Sequence, residues 1–170
     1  RNRETTFFTT TSGGVYTDFY YAIYRANVVM ENFELVEGLE ATDRLRLEAE
    51  ARFVRAVCHW GAVKLYAQPY GYTAGNTHLG VPLRLESSQE PLPRTSVGDV
   101  YAAIVEDFEF AAANLPAVNG SYATSYAARG YLAEVNFLMM NWGATVAHAT
   151  AVIDGGGFSL DEDLDRFETD

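Results

Sequence analysis

A single cysteine, Cys58, means that no disulfide can form within this chain. Cations are scarce as well: 12 lysines and arginines stand against 23 acidic residues, leaving a net charge of −11. Affinity for nucleic acid comes from cations that displace counterions along the phosphates, so this balance argues against DNA or RNA as a partner. It argues against an anionic lipid surface for the same reason. No apolar run approaches the ~20 residues needed to span a bilayer. Familiar catalytic signatures are also missing. There is no Gly-x-Ser-x-Gly, no phosphate-binding loop and no dinucleotide fingerprint. Gly155-Gly156-Gly157 follows a helical pattern rather than a strand, so it reads as a helix stop and not a phosphate cradle. His78 and His148 show no ligand spacing with Cys58 or with each other, which speaks against zinc. No cofactor is expected.

What is present is an apolar share of 48% in 170 residues, with 11 tyrosines and 10 phenylalanines. A chain of this length supports its own core. Residues 1–14, rich in threonine and ending in Gly-Gly, predict an irregular lead-in. Val15, Phe19, Ala22, Ala26, Val29, Phe33 and Val36 then recur at helical steps, and Gly38 closes the run. A second helix is predicted from about Thr42 to Tyr66. It has two apolar faces, Leu47–Ala51–Val54–Cys58–Gly61–Leu65 and Phe53–Val57–Trp60, as suits a helix packed between two neighbours. Glu48, Arg52, Arg55 and His59 fall in one strip about 60° wide on a helical wheel. That strip is read as the helix's wet edge, with Glu48 and Arg52 paired along it. Cys58 and His59, being adjacent, point about 100° apart on a helix and do not form a thiolate–imidazole couple.

Residues 67–94 form one long loop, rich in glycine, proline and polar residues, at a length expected to be functional or draped over the core. Ser96 and Asp99 have the spacing of a helix cap. Val97, Tyr101, Ile104, Phe108, Ala111 and Leu115 mark the buried face of the third helix, and Asp99, Glu106, Asp107 and Glu109 read as its solvated face. A fourth helix is expected from about Thr124 to Met140 and a fifth from Trp142 to Asp154, capped by Asn141, the two forming a hairpin. Ala51-Arg52-x-x-x-Ala56 in the second helix echoes Ala128-Arg129-x-x-x-Ala133 in the fourth. The fold class is therefore all-α: tetratricopeptide-like helical hairpins, about five main helices, with one long irregular loop.

Five segments, taken in order, carry a family resemblance: Tyr20–Glu31 (YYAIYRANVVME), Ala49–Gly71, Leu79–Leu83 (LGVPL), Arg94–Pro116 and Ser125–Leu160. Together they resemble the SusD/RagB family of outer-membrane nutrient-binding lipoproteins. The resemblance implies a tetratricopeptide-like domain and non-enzymatic capture of an oligosaccharide or other nutrient. It further implies a SusC-like TonB-dependent transporter as partner, and a surface-exposed outer-membrane lipoprotein held by an acylated cysteine. Cys58 lies within a helix and cannot be that cysteine. We expect residues 1–170 to be the N-terminal helical part of a longer chain, touching the membrane only through an anchor outside this segment.

Sugar sites use aromatic faces, and most rings here sit at core spacing. Those read as off the helical register are Phe7, Phe8, Tyr16, Tyr70 and Tyr72, the candidates for the edge of a nutrient site. Asp161, Asp163 and Asp165 alternate as in a calcium loop, but Arg166 occupies the place of the turn glycine, and a solvated acidic tail is the plainer reading. The competing function is a helical-repeat scaffold that binds a protein in a groove. An enzyme would need a carboxylate pair, and Glu48 and Glu50, two apart on a helix, face different ways.

Overall fold

A computed structural model describes residues 11–155 and 157–158, with side chains from residue 14 onward. It is all-α: α1 Thr11–Glu31, α2 Ala41–Tyr66, α3 Val97–Asn114, α4 Ser125–Leu138 and α5 Trp142–Gly155, with 3-10 turns at Phe33–Leu35 and Ala74–Asn76. Among the described residues there is no strand; one isolated antiparallel bridge joins Leu79 to Ser96. Each helix packs on the next in sequence, so α2 is clasped by α1 on one side and α3 on the other. That is the arrangement its two apolar faces predict.

The α1–α2 contact is close because α2 presents small residues. Ala51 is buried on the side that faces α1, and a Cβ added at Gly61 would sit 2.5 Å from the Phe19 ring. Gly61→Val is therefore expected to lower stability by about 1–3 kcal/mol through overpacking, read as a lower urea midpoint. An unchanged midpoint would mean that Phe19 swings aside freely. The α2–α3–α4 contact is aromatic. Phe53, Phe108 and Tyr131 come from successive helices, with Phe108 and Tyr131 stacked at 5.1 Å between centroids and Phe53 edge-on to both. Trp60 meets Tyr101 edge-on at 5.4 Å, extending the same seam.

The ends of the helices follow local chemistry. Ser96 caps α3, its Oγ accepting from the Asp99 N–H at 3.1 Å, and Thr124 caps α4 by accepting from the Ala127 N–H. α4 ends with Met140 in the left-handed region (φ +59), the Asn141 N–H bonding back to the Asn136 carbonyl and the Met140 N–H to the Phe137 carbonyl. This paired closure reverses the chain and starts α5 at once. The Asn141 side chain, expected to cap α5, instead donates to Asn136 Oδ1 at 3.0 Å, while its backbone carbonyl takes the Thr145 N–H.

Two boundaries differ from the sequence reading. α1 begins at Thr11, inside the stretch of residues 1–14 expected to be irregular and four residues before the expected start at Val15. It ends at Glu31 rather than running on to Val36. There the Asn32 amide donates to the Val28 carbonyl at 2.7 Å and its backbone leaves the helix (φ −112, ψ 14), a side-chain bond that competes with helix continuation.

Candidate functional site

The long loop is neither mobile-looking chain nor a separate element. Residues 79–88 form a strap across α1 and α2, tied at its base to the residues that precede α3. The Gly80 N–H donates to the Thr95 carbonyl at 2.7 Å, and the Thr95 N–H to the Val81 carbonyl at 3.1 Å. Gly80 suits this close approach, since a Cβ there would meet the Thr95 carbonyl oxygen at 3.0 Å and the base of the strap would have to give by a few tenths of an ångström. Val81 is 1% exposed and anchors the strap in the core.

Irregular backbone that lies against a core still needs partners for its N–H and C=O groups, and buried side chains of α1 and α2 supply them. Asn27 Nδ2 donates to the carbonyls of Arg84 and Glu86 at 3.2 and 3.0 Å. His59 Nε2 accepts the Arg84 N–H at 3.3 Å. Arg55 Nη1 donates to the Leu85 carbonyl at 3.2 Å and to Asn27 Oδ1 at 2.9 Å. The same guanidinium holds Asp107 of α3 with both edges, Nε–Oδ2 at 2.7 Å and Nη2–Oδ1 at 2.8 Å. Tyr20 adds a further tie, its hydroxyl donating to the Pro82 carbonyl at 2.6 Å.

The expected wet strip on α2 is thus corrected at Arg55 and His59, which are 8% and 2% exposed. They lie under the strap, not in water. Asp107, expected on a solvated face, is 3% exposed, because Arg55 reaches it from α2; Asp99, Glu106 and Glu109 are exposed as expected. Only the outer part of the strip behaves as read. Arg52 Nη2 pairs with Glu48 Oε1 at 2.9 Å and its guanidinium lies 4.2 Å over the Phe110 ring. None of this is catalytic geometry. Burial, and then the Arg55 charge, push His59 down to about 3, so it stays neutral in the fold and has no proton to give near neutral pH. Cys58 is buried, and burial alone raises its thiol above the usual range.

The strap's outer edge walls a cavity of about 400 Å³, within the roughly 300–1,000 Å³ of small-ligand sites. Tyr16, Tyr20, Tyr21 and Tyr24 of α1 form one wall; Arg84 and Ser88 of the strap, with Gln89 just after it, form the other. Tyr16, Tyr20 and Tyr24 are four residues apart and so share one side of the helix. Tyr16 tilts against Tyr20 at 4.6 Å and meets Tyr66 edge-on at 5.0 Å. Burial, followed by the hydrogen bond with Tyr16, holds the Tyr20 hydroxyl well above the usual tyrosine range, so it remains a neutral donor. Beyond Tyr16 lies a second cavity of about 270 Å³, bordered by Tyr66, Pro82 and Arg94. A larger space of about 440 Å³ between α1 and α2 is lined mainly by Ala22, Val29, Leu47 and Val54. Tyr21, Arg25, Glu50 and Tyr122 also border it, but its exposed lining is mostly apolar.

Of the aromatic candidates from the sequence, Tyr16 stands in this groove. Tyr70 does not: it packs on Tyr101 at 4.8 Å and pins the loop to the core. Tyr72 is 62% exposed and leans on His78, away from the groove. Phe7 and Phe8, like Asp161, Asp163 and Asp165, lie outside the described residues. Sequence reasoning missed Tyr20, Tyr21, Tyr24, Arg84 and Gln89. The four-residue spacing of the tyrosines was the available signal, and it was read as core.

Comparison with known proteins agrees with this architecture. The SusD-like family model described as starch-binding associating with outer membrane matches residues 2–137. SusD-like protein P25 of Formosa agariphila is 27% identical over 147 residues, covering 84% of this chain and 26% of that protein. A SusD superfamily protein of Bacteroides thetaiotaomicron superimposes with a TM-score of 0.80 at 23% identity, over 86% of this chain and 33% of that one. A laminarin-binding SusD-like protein does so with a TM-score of 0.74 at 22% identity, over 91% and 34%. The chain therefore spans about a quarter to a third of the length of these relatives. With its helices stacked in sequence, its strap seated on them and the family pattern running through most of its length, the chain belongs to the SusD-like family.

Proposed function

We propose that this chain is the helical part of a surface lipoprotein of the outer membrane that captures an oligosaccharide without chemistry and passes it to a SusC-like TonB-dependent transporter. The observation that carries the reading is the groove beside the strap. A row of tyrosine faces can cover the C–H faces of pyranose rings, while Arg84, Gln89 and the strap backbone offer donors and acceptors to hydroxyls. Family membership supports the sugar class and the membrane setting, and the laminarin-binding relative shares the fold. The buried Arg55–Asp107 pair and the neutral His59 give the groove a rigid wall and no acid–base couple.

The test is a carbohydrate array probed with the intact protein, followed by recovery of the bound glycan. Binding is expected with the glycan recovered at unchanged length, and Tyr16→Ala with Tyr24→Ala is expected to weaken it about tenfold, in line with the energy of lost ring stacking. Shortened glycan in the recovered fraction would replace capture by hydrolysis. Co-purification with the transporter barrel, when both are expressed together, tests the docking.

A further inference from the structure

In a chain with net charge −11, carboxylates are plentiful, and four of the eight arginines with described side chains take one. Arg44, Arg46, Arg52, Arg55 and Lys64 each pair with an acidic side chain. Arg25, Arg84, Arg94 and Arg129 have no acidic partner among the described residues; Arg25 lies over the Tyr21 ring, and Arg84 and Arg94 are the two of these four that border the tyrosine groove. Arg84 donates through Nη1 to the Ser88 carbonyl and through Nη2 to the Glu90 carbonyl, the latter at 2.7 Å. Arg94 donates through Nε to the Gly80 carbonyl at 2.5 Å and through Nη2 to those of Tyr66 and Leu79 at 2.8 and 3.4 Å. Neutral carbonyls orient a guanidinium but leave its charge uncompensated, and each of these side chains keeps N–H donors to spare out of its five.

Both arginines border the tyrosine groove. Arg84 lines the cavity of about 400 Å³ and Arg94 the one of about 270 Å³, with Tyr16 as the wall common to both. Both charges also reach the Tyr20 hydroxyl closely enough to work against its burial. Two oriented cations without carboxylate partners at the rim of an aromatic groove, in a chain of net charge −11, form a local trap for negative charge.

We infer that the groove selects an anionic oligosaccharide, with pyranose rings against the tyrosines and a carboxylate or sulfate at Arg84 and a second at Arg94. This rests on the capture reading above. The test is calorimetric titration of the intact protein with tetragalacturonate, its carboxyl-reduced neutral counterpart, and a κ-carrageenan tetrasaccharide that carries sulfate alone. At least one anionic probe is expected to bind about tenfold or more tighter than the neutral one, and which one does so separates carboxylate from sulfate. Raising salt from roughly 0.01 M to 1 M, where the screening length falls from about 30 to 3 Å, is expected to erase most of that preference. Arg84→Gln is expected to reduce it several-fold, and Arg84→Lys, which keeps the charge, to restore part of it. Equal or tighter binding of the neutral tetrasaccharide overturns the inference and leaves capture standing; binding of none of the three overturns it too. A preference insensitive to salt in the unaltered protein overturns it without recourse to any variant. Capture itself fails only if the array also shows no bound glycan of any class.

Discussion

Asp107→Ala is expected to cost about 3–5 kcal/mol of folding stability, the largest effect of any single change considered, because it leaves the Arg55 guanidinium buried without its counter-charge. Arg55 cannot retreat to water. Its Nη1 is committed to Asn27 and the Leu85 carbonyl, and its side chain is 10% exposed. The reverse change, Arg55→Met, leaves the Asp107 carboxylate only the more distant Arg52 Nη1 at 3.6 Å and also removes the donor to the strap. Combining it with Asp107→Leu is expected to cost much less than the sum of the two single changes, since neither charge then remains unpaired. Urea midpoints for the single and double variants measure this coupling. A loss below about 1 kcal/mol for Asp107→Ala would place the pair among surface salt bridges and remove the strap's foundation. Hydrogen exchange adds a local readout: the amides of residues 84–86 are expected to lose protection in Arg55→Met before those of α4, because the strap and not the aromatic seam depends on this guanidinium.

That network also shows where sequence reading stops. The helices were legible because their causes are local. Two apolar faces on Thr42–Tyr66 demand two neighbours, and Ser96 with Asp99 marks a start whatever else the chain does. The strip Arg52–Arg55–His59 was equally visible as a pattern, but its meaning depends on what lies over it. Arg55 meets Asp107 52 residues away and Asn27 28 residues away, and no periodicity specifies such pairings. A polar strip on a helix looks the same whether water or an irregular strap covers it. The long loop carried the missing information, since a draped segment must bring unsatisfied backbone and so requires buried polar hosts. Read that way, Asn27 in the apolar run of α1 and His59 in α2 are the expected hosts. The groove was partly legible for a related reason: Tyr16, Tyr20 and Tyr24 declare one helical side, but whether that side faces the core or the strap depends on the path of residues 84–89.

His59 makes the same architecture sensitive to acid. Folded, it accepts the Arg84 N–H, faces Tyr20 of α1 edge-on, and lies beside the Arg55 charge on its own helix. Burial first, and then the Arg55 charge, lower its proton affinity from the ordinary 6.5 to about 3, outweighing a hydrogen bond to the Arg55 backbone that acts the other way. Above pH 6.5 both folded and unfolded chains hold a neutral imidazole, and the stabilisation is complete. Below it the unfolded chain takes up a proton that the fold refuses, so stability falls as pH drops, by up to about 1.4 kcal/mol per unit, until the folded ring titrates near 3. At pH 5 the expected loss is about 2 kcal/mol. Glu31, held below the usual carboxylate range by Ser87, contributes in the same direction but only once pH falls beneath about 4.5. His148, lowered by burial and then by Arg129, acts in the same window as His59 and is removed by measuring in a His148→Gln background. In that background, His59→Gln, whose amide can still accept the Arg84 N–H, is expected to flatten the change in urea midpoint between pH 7.5 and 5.0. An equal slope with and without His59 would mean that the ring reaches solvent and the strap does not seal it. Because the Arg84 amide rests on this nitrogen, the arginine that faces the tyrosines is set in place by the same bond, and acid that loosens the strap is expected to move the groove wall with it.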